Sequence, residues 1–127
     1  MILGSGVDLI EVARFEREVA RRGQSLADEL FSAGELAWCR RRRRAAEGYA
    51  MAWAAKEALF KALGTGKVGR MAWQDVALTW TAAGGRPEMT LAGETARTAE
   101  EIGTSHVHVT MTSTREFGVA WVVVTGR

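Results

Sequence analysis

Apolar positions change their period along this chain, and each change marks an element. Ile2 to Ile10 is apolar and β-branched, with Gly4 and Gly6 inside it. That predicts a buried strand whose glycines allow a bulge or a close backbone approach. Asp8 falls near its end, between Val7 and Leu9. Residues 11–22 switch to helical spacing. Val12, Phe15 and Val19 form an apolar stripe, and Arg14, Arg17 and Arg21 share another face. Ser32 and Glu35 have the spacing of a capping box, flanked by Phe31 and Leu36 as a hydrophobic staple. A helix from about Ala33 follows, running into five consecutive arginines, Arg40 to Arg44, which end it or form a solvated loop. A longer helix is predicted from about Glu47 to Leu63, with Gly64 as the left-handed residue at its end.

Further on, the period becomes two. Val76, Leu78 and Trp80 alternate with small or polar residues. Gly84 to Pro87 reads as a turn, and Glu88 to Leu91 as a returning strand. Residues 92–102 suggest a short helix ended by Gly103. Val107, Val109 and Met111 then alternate with His106, His108, Thr110 and Thr112, and Phe117 to Thr125 forms an apolar partner strand. These last two should pair as a hairpin. The pattern is α+β: helices early, and a largely antiparallel sheet packed against one long helix. No repeat or linker divides residues 1–127, so a single domain is expected.

Composition narrows the class. A quarter of the residues are charged and nearly half are apolar, as in a soluble globular protein. No apolar run is long enough to span a bilayer. The first residues lack a basic segment followed by a long apolar one, so no signal peptide is expected. One cysteine, Cys39, allows no internal disulfide and suits a reducing cytoplasm. The net charge of +2 is unevenly spread. Residues 1–70 carry thirteen Lys/Arg against nine Asp/Glu, and residues 71–127 carry four against six. An anionic partner would be drawn to the first half. The overall basicity is slight and no aromatic platform accompanies the arginine run, so nucleic acid is not expected.

Chemistry concentrates in Trp53 to Gly66, which holds Lys56, Glu57 and Lys61 within little more than a turn. Glu57 and Lys61 are four apart and share a face, which a surface ion pair would explain. Asp8 alone reads as a cap for the following helix. Together, Asp8 and Glu57 could hold magnesium, which takes one or two carboxylates plus substrate phosphates. Lys56 and Lys61 could then neutralise phosphate oxygens, and Gly64 would let backbone approach the same ligand. Spacing leaves both readings open. His106 and His108 lack further ligands nearby, so a sheet-face hydrogen bond is expected of them and no zinc site.

The segment Gly4-Ser-Gly-Val-Asp-Leu-Ile-Glu-Val12, followed by Arg14, resembles the opening of holo-(acyl carrier protein) synthases. Trp53-Ala-Ala-Lys-Glu-Ala-Leu-Phe-Lys-Ala-Leu-Gly-Thr-Gly66 is similar to that family's second signature. Leu30 to Glu35 and His108 to Ala120 resemble its intervening helix start and closing hairpin, in the same order. The resemblance implies a 4′-phosphopantetheinyl transferase of the small stand-alone type. Such enzymes move phosphopantetheine from coenzyme A to a serine of an apo acyl or peptidyl carrier protein and release adenosine 3′,5′-bisphosphate. The carriers serve fatty acid, polyketide or peptide assembly. Asp8 and Glu57 match the magnesium ligands, and Lys61 matches a pyrophosphate contact. Glu57, or a water on the ion, takes the serine proton. Arg14 matches a contact to the carrier's acidic helix. Arg21 shares its face and is the second candidate there. Family members are usually homotrimers with sites between neighbouring chains.

The chain departs from the pattern at three positions. Ala52 stands where the family usually has arginine, Phe60 where it often has serine, and Ser113 where it usually has histidine. The arginine and the histidine are expected to help hold coenzyme A. Ser113 can still donate to a phosphate, and the arginines at 40–44 could supply the missing charge. The same departures motivate a second reading: a divergent member that binds a carrier without transferring, or one turned to other carrier-bound acyl chemistry.

Overall fold

The computed structural model describes residues 1–82 and 85–127. Its elements, in chain order, are β1 (Ile2–Glu11), α1 (Val12–Arg22), α2 (Gln24–Leu30), α3 (Ala33–Arg41), α4 (Ala45–Ala62), β2 (Val76–Trp80), β3 (Pro87–Leu91), α5 (Gly93–Glu101), β4 (His106–Ser113) and β5 (Phe117–Thr125). The α+β expectation holds. The strands form two antiparallel sheets, β1-β5-β4 and β2-β3. The predicted β4–β5 hairpin is present, and the N-terminal strand joins it along the free side of β5. The turn expected at Gly84 to Pro87 lies partly outside the described residues.

Helix α4 organises the molecule. Twelve of its 18 residues are buried, as expected of a helix apolar on nearly every side. One side packs on β1, β5 and β4, and the others meet α1, α3 and β2. Its sheet-facing side is built for closeness. A Cβ on Gly6 would sit 2.1 Å from the carbonyl oxygen of Ala58, and one on Gly118 would sit 2.5 Å from the backbone nitrogen of Met51. Only glycine fits there, and the backbones approach accordingly. The opposite side meets an aromatic cluster in which Phe15 stacks on Tyr49 and meets Trp53 edge-on.

Helix α3 starts at the predicted box. Ser32 accepts from the Glu35 backbone N–H, and Glu35 accepts from the Ser32 N–H. Helix α2, between residues 24 and 30, has no counterpart in the sequence reading. Its seven residues carry a short pattern, with Leu26 and Leu30 buried.

Two burial expectations change. β1 buries only alternate residues, Gly6, Asp8 and Ile10. Val7 and Leu9 are 58% and 56% exposed on the other face, beside Trp121 of β5. Val19 leaves the α1 stripe and is exposed, while Val12 and Phe15 are buried. Cys39 is a core residue, and burial pushes its thiol up to about 12.

Candidate active site

The strand delivers Asp8 to the helix by a simple register. Gly4 abuts Ala62 and Gly6 abuts Ala58. Two strand residues rise about 6.8 Å and four helix residues about 6 Å, so the two march in step in opposite directions. Asp8, next on the same face, therefore comes level with the turn that carries Glu57. Lys61 is the only residue of α4 that is exposed. Its Nζ lies 2.7 Å from Asp8 Oδ1 and also donates to the Val7 carbonyl at 3.3 Å.

Asp8 is 9% exposed, and its second oxygen, Oδ2, is buried with no hydrogen-bond partner among the described residues. Glu57 lies beside it. Burial first, then the neighbouring Asp8 carboxyl and its charge, push the Glu57 carboxyl up to about 7, while Arg14 and Lys61 pull it partly back. Arg14 reaches over from α1, with its guanidinium 5.3 Å from the centre of the Trp53 ring. Two crowded carboxylates, one with an orphaned oxygen and one clinging to a proton, are short of positive charge. Such a pair fits a hard divalent cation that keeps most of its waters or phosphate ligands. No group of three potential metal ligands occurs among the described residues, so a full protein cage is not what the pair offers.

Several expectations are corrected. Lys56 does not join this site. It is fully buried on another side of α4, where its Nζ lies 2.8 Å from Glu35 Oε1 and donates to the Trp73 carbonyl at 3.2 Å. Burial pushes its ammonium down, and the charge of Glu35 resists that. Glu35 Oε2 also accepts from the Leu78 N–H at 2.6 Å, so the pair ties α3, α4 and β2 together. The ion pair expected between Glu57 and Lys61 is replaced by Lys61 with Asp8. Asp8 caps nothing: Glu11 occupies the N-cap of α1, and no side chain bonds there. Gly64 has φ 83° at the end of α4, as predicted. Arg21 is paired on the surface with Glu18, and Arg17 lies 3.6 Å from Glu11. His108 Nε2 and Thr125 Oγ1 are 3.0 Å apart, the sheet-face hydrogen bond expected of that strand.

A second polar cluster forms on β4, at the other edge of the same sheet. Ser113 Oγ donates to Glu47 Oε1 at 3.0 Å, and Arg44 Nε lies 3.6 Å from Glu47 Oε2. A cleft of about 410 Å³ opens there, lined by Arg42, Arg43, Arg44 and Arg115. Glu47 escaped the sequence reading. Its signal was a lone acid in the first turn of α4, directly after the arginines. A larger cavity of about 600 Å³ between β3, α5 and β4 lies away from both clusters and gathers no cations.

The fold and the paired carboxylates define a class, and comparison with known proteins gives it a family. Residues 4–122 match the 4′-phosphopantetheinyl transferase superfamily, and the chain belongs to that family. A holo-[acyl-carrier-protein] synthase of Desulforudis audaxviator is 43% identical over 126 residues, covering 99% of this chain and 95% of the relative. The crystal structure of that synthase from Neisseria meningitidis superposes with a TM-score of 0.87 at 30% identity, covering 98% and 99% of the two chains. The Bacillus anthracis protein, crystallised in complex with coenzyme A (3′,5′-ADP), gives a TM-score of 0.79 at 27% identity, covering 100% and 99%.

Proposed function

We propose that this chain transfers the 4′-phosphopantetheine group of coenzyme A to a serine of an apo acyl or peptidyl carrier protein, with magnesium, releasing adenosine 3′,5′-bisphosphate. The observation that carries the reading is the convergence of Asp8, Glu57 and Lys61 from β1 and α4, with one Asp8 oxygen left unpartnered. Asp8 and Glu57 would hold the magnesium, which neutralises diphosphate oxygens when bound. Lys61 is exposed enough to leave Asp8 and donate to the same diphosphate. The carrier serine oxygen attacks the β-phosphorus. Its proton passes to the Glu57 carboxylate. The bond from the β-phosphorus to the oxygen bridging the α-phosphate breaks, and that oxygen leaves with the nucleotide. The protein contributes mainly positioning and charge in such a transfer. Gly64 ends α4 next to Lys61 and leaves its backbone open to the ligand.

Arg14 and Arg21 present cations on the exposed side of α1, suited to an acidic helix of the carrier. Arg14 lies against Trp53 beside Glu57, so a carrier gripped there would bring its serine close. The outer sheet face supports a homotrimer. Val7, Leu9 and Trp121 expose large apolar surfaces in adjacent register, a patch that another copy would cover. Asp8 and Ser113 lie on opposite edge strands, which suits a site shared between copies. A cytoplasmic location accords with the reading, and no described helix is long and apolar enough to cross a membrane.

Incubation with coenzyme A, magnesium and an apo carrier protein tests the proposal by mass spectrometry. One phosphopantetheine should be added at the carrier serine, and chelation of the metal should stop it. Absence of the adduct, or full turnover by Asp8→Ala, refutes the assignment.

A further inference from the structure

Lys56 and Glu35 form an ion pair with neither side chain exposed, and the transfer chemistry uses neither of them. Both oxygens of Glu35 are committed. Oε1 accepts from the Ser32 N–H at 2.9 Å and lies 2.8 Å from Lys56 Nζ, and Oε2 accepts from the Leu78 N–H at 2.6 Å. Lys56 Nζ also donates to the Trp73 carbonyl at 3.2 Å and lies 5.8 Å from the centre of the Phe31 ring. One ammonium thus fastens α4 to the start of α3, to β2 and to the turn at Trp73. A buried pair is weak ground for stability, because apolar residues of similar volume often hold a core as well or better. What the pair supplies that apolar contacts do not is direction.

Direction is what the sheet side of α4 lacks. There Ala50, Ala58 and Ala62 meet Gly118, Gly6 and Gly4, backbone and methyl groups against glycine. Such a surface sets how closely the helix lies and does little to stop it rolling about its axis. Lys56 and Glu57 are consecutive and project about 100° apart, so the angle at which one is fastened sets the angle of the other. With side-chain tips about 6 Å from the axis, a roll of about 10° carries the Glu57 carboxyl about 1 Å. Asp8 belongs to the sheet and does not follow. A displacement of that size is enough to cost about a hundredfold in rate.

We propose that Lys56 and Glu35 are positioning residues for the transfer: the buried pair sets the roll of α4 and, with it, the alignment of the Glu57 carboxyl on Asp8. The inference rests on the transferase reading and adds to it two side chains that touch neither substrate nor metal. The glycine contacts fix how near α4 lies to the sheet, and the ion pair fixes which way it faces.

The double variant Glu35→Gln/Lys56→Met tests this. It removes both charges, fills nearly the same space and keeps an amide oxygen for the Leu78 N–H. Denaturant unfolding should find it at least as stable as Lys56→Met alone. In protein shown to be folded, kcat should fall roughly 10- to 100-fold, with KM for coenzyme A and for the carrier within about twofold. Magnesium affinity, read by calorimetry without coenzyme A, should fall about tenfold. Glu35→Asp keeps the pair charged and retracts its anchor by one methylene. It guards against a folding failure of the double variant, and its kcat should fall about three- to tenfold. A pair that only holds the core together would leave kcat and magnesium affinity at wild-type values. That result in either folded variant, or a raised KM with kcat unchanged, overturns the inference while the transferase reading stands. A wild-type chain that neither transfers nor binds magnesium overturns both.

Discussion

Replacing Glu57 by glutamine should make the metal-free protein more stable and the enzyme inactive. The Glu57 carboxyl rises from 4.5 to about 7 on folding. The folded state therefore binds this proton more tightly than the unfolded chain does. The resulting stability is complete below about pH 4.5 and is lost as the pH rises through about 7. At 1.36 kcal/mol per pH unit the ceiling is about 3.4 kcal/mol. Partial exposure of the group reduces this to about 1–2 kcal/mol. Glutamine fits the same space and cannot ionise. Glu57→Gln should flatten the fall in stability between pH 5 and 8. At pH 8 in chelator it should exceed the wild type by that amount, a rise in Tm of about 4–8 °C. Excess magnesium should reverse the order. A ligand at a hundredfold its Kd adds about 2.7 kcal/mol to the form that binds it, and the variant has lost one of two carboxylates. Thermal unfolding followed by circular dichroism, with chelator and then with magnesium, reads all of this. A variant no more stable than the wild type at pH 8 without metal would show that the two carboxyls do not crowd one another.

Gly6→Ala places a methyl 2.1 Å from the Ala58 carbonyl oxygen, and the shift of β1 away from α4 should cost about 3 kcal/mol in denaturant unfolding. It should also slow transfer in protein that is still folded, because Asp8 moves with the strand. Lys56→Met leaves the Glu35 carboxylate buried without its cation, a loss of about 3–5 kcal/mol. Coenzyme A affinity at a temperature where the variant is folded should stay within about twofold; a collapse there would return Lys56 to the site. Trp121→Asp puts a charge on the exposed apolar sheet face and should convert a trimer to monomers by sedimentation velocity, and a monomeric wild type would remove that interface.

Much of this was legible because local rules govern it. The Ser32–Glu35 box, the left-handed Gly64, the hairpin of β4 and β5 and the long helix follow from spacing within a few residues. Lys56 was misplaced by a rule applied too loosely. Adjacent helical residues diverge by about 100°, so Lys56 and Glu57 could not share a face, whereas Glu57 and Lys61 could. What sends Lys56 inward is its tertiary partner Glu35, twenty-one positions earlier, and nothing near either residue announces the pairing. The exposed half of β1 was misread because an apolar run without alternation does not show which of its faces is covered. Arg42 lies over Trp38, which stacks on Trp80, and these contacts form only when α3 folds back on α4 and β2.

If the proposed transfer holds, the sheet bears on how a ligand would meet both polar clusters. Asp8 and Ser113 both lie on the face that packs against α4, but on its two outer strands. Asp8 pairs with Ala120, and Ser113 pairs with Gly118. Two strand spacings and one two-residue step put their Cα atoms about 12 Å apart. That span suits a molecule with a diphosphate at one end and a phosphomonoester further along. The direct path, however, is filled: Gly6 and Gly118 seat α4 against the sheet with backbone touching backbone. A ligand cannot thread between them. A site joining the β1 edge of one copy to the β4 edge of another would serve both clusters, in keeping with the proposed trimer. The exposed row of Val7, Leu9 and Trp121, beside the edge that carries Asp8, is where such a neighbour would be held. The close packing that brings Asp8 to Glu57 is thus the same packing that, on the proposed function, gives a second copy its part in the site.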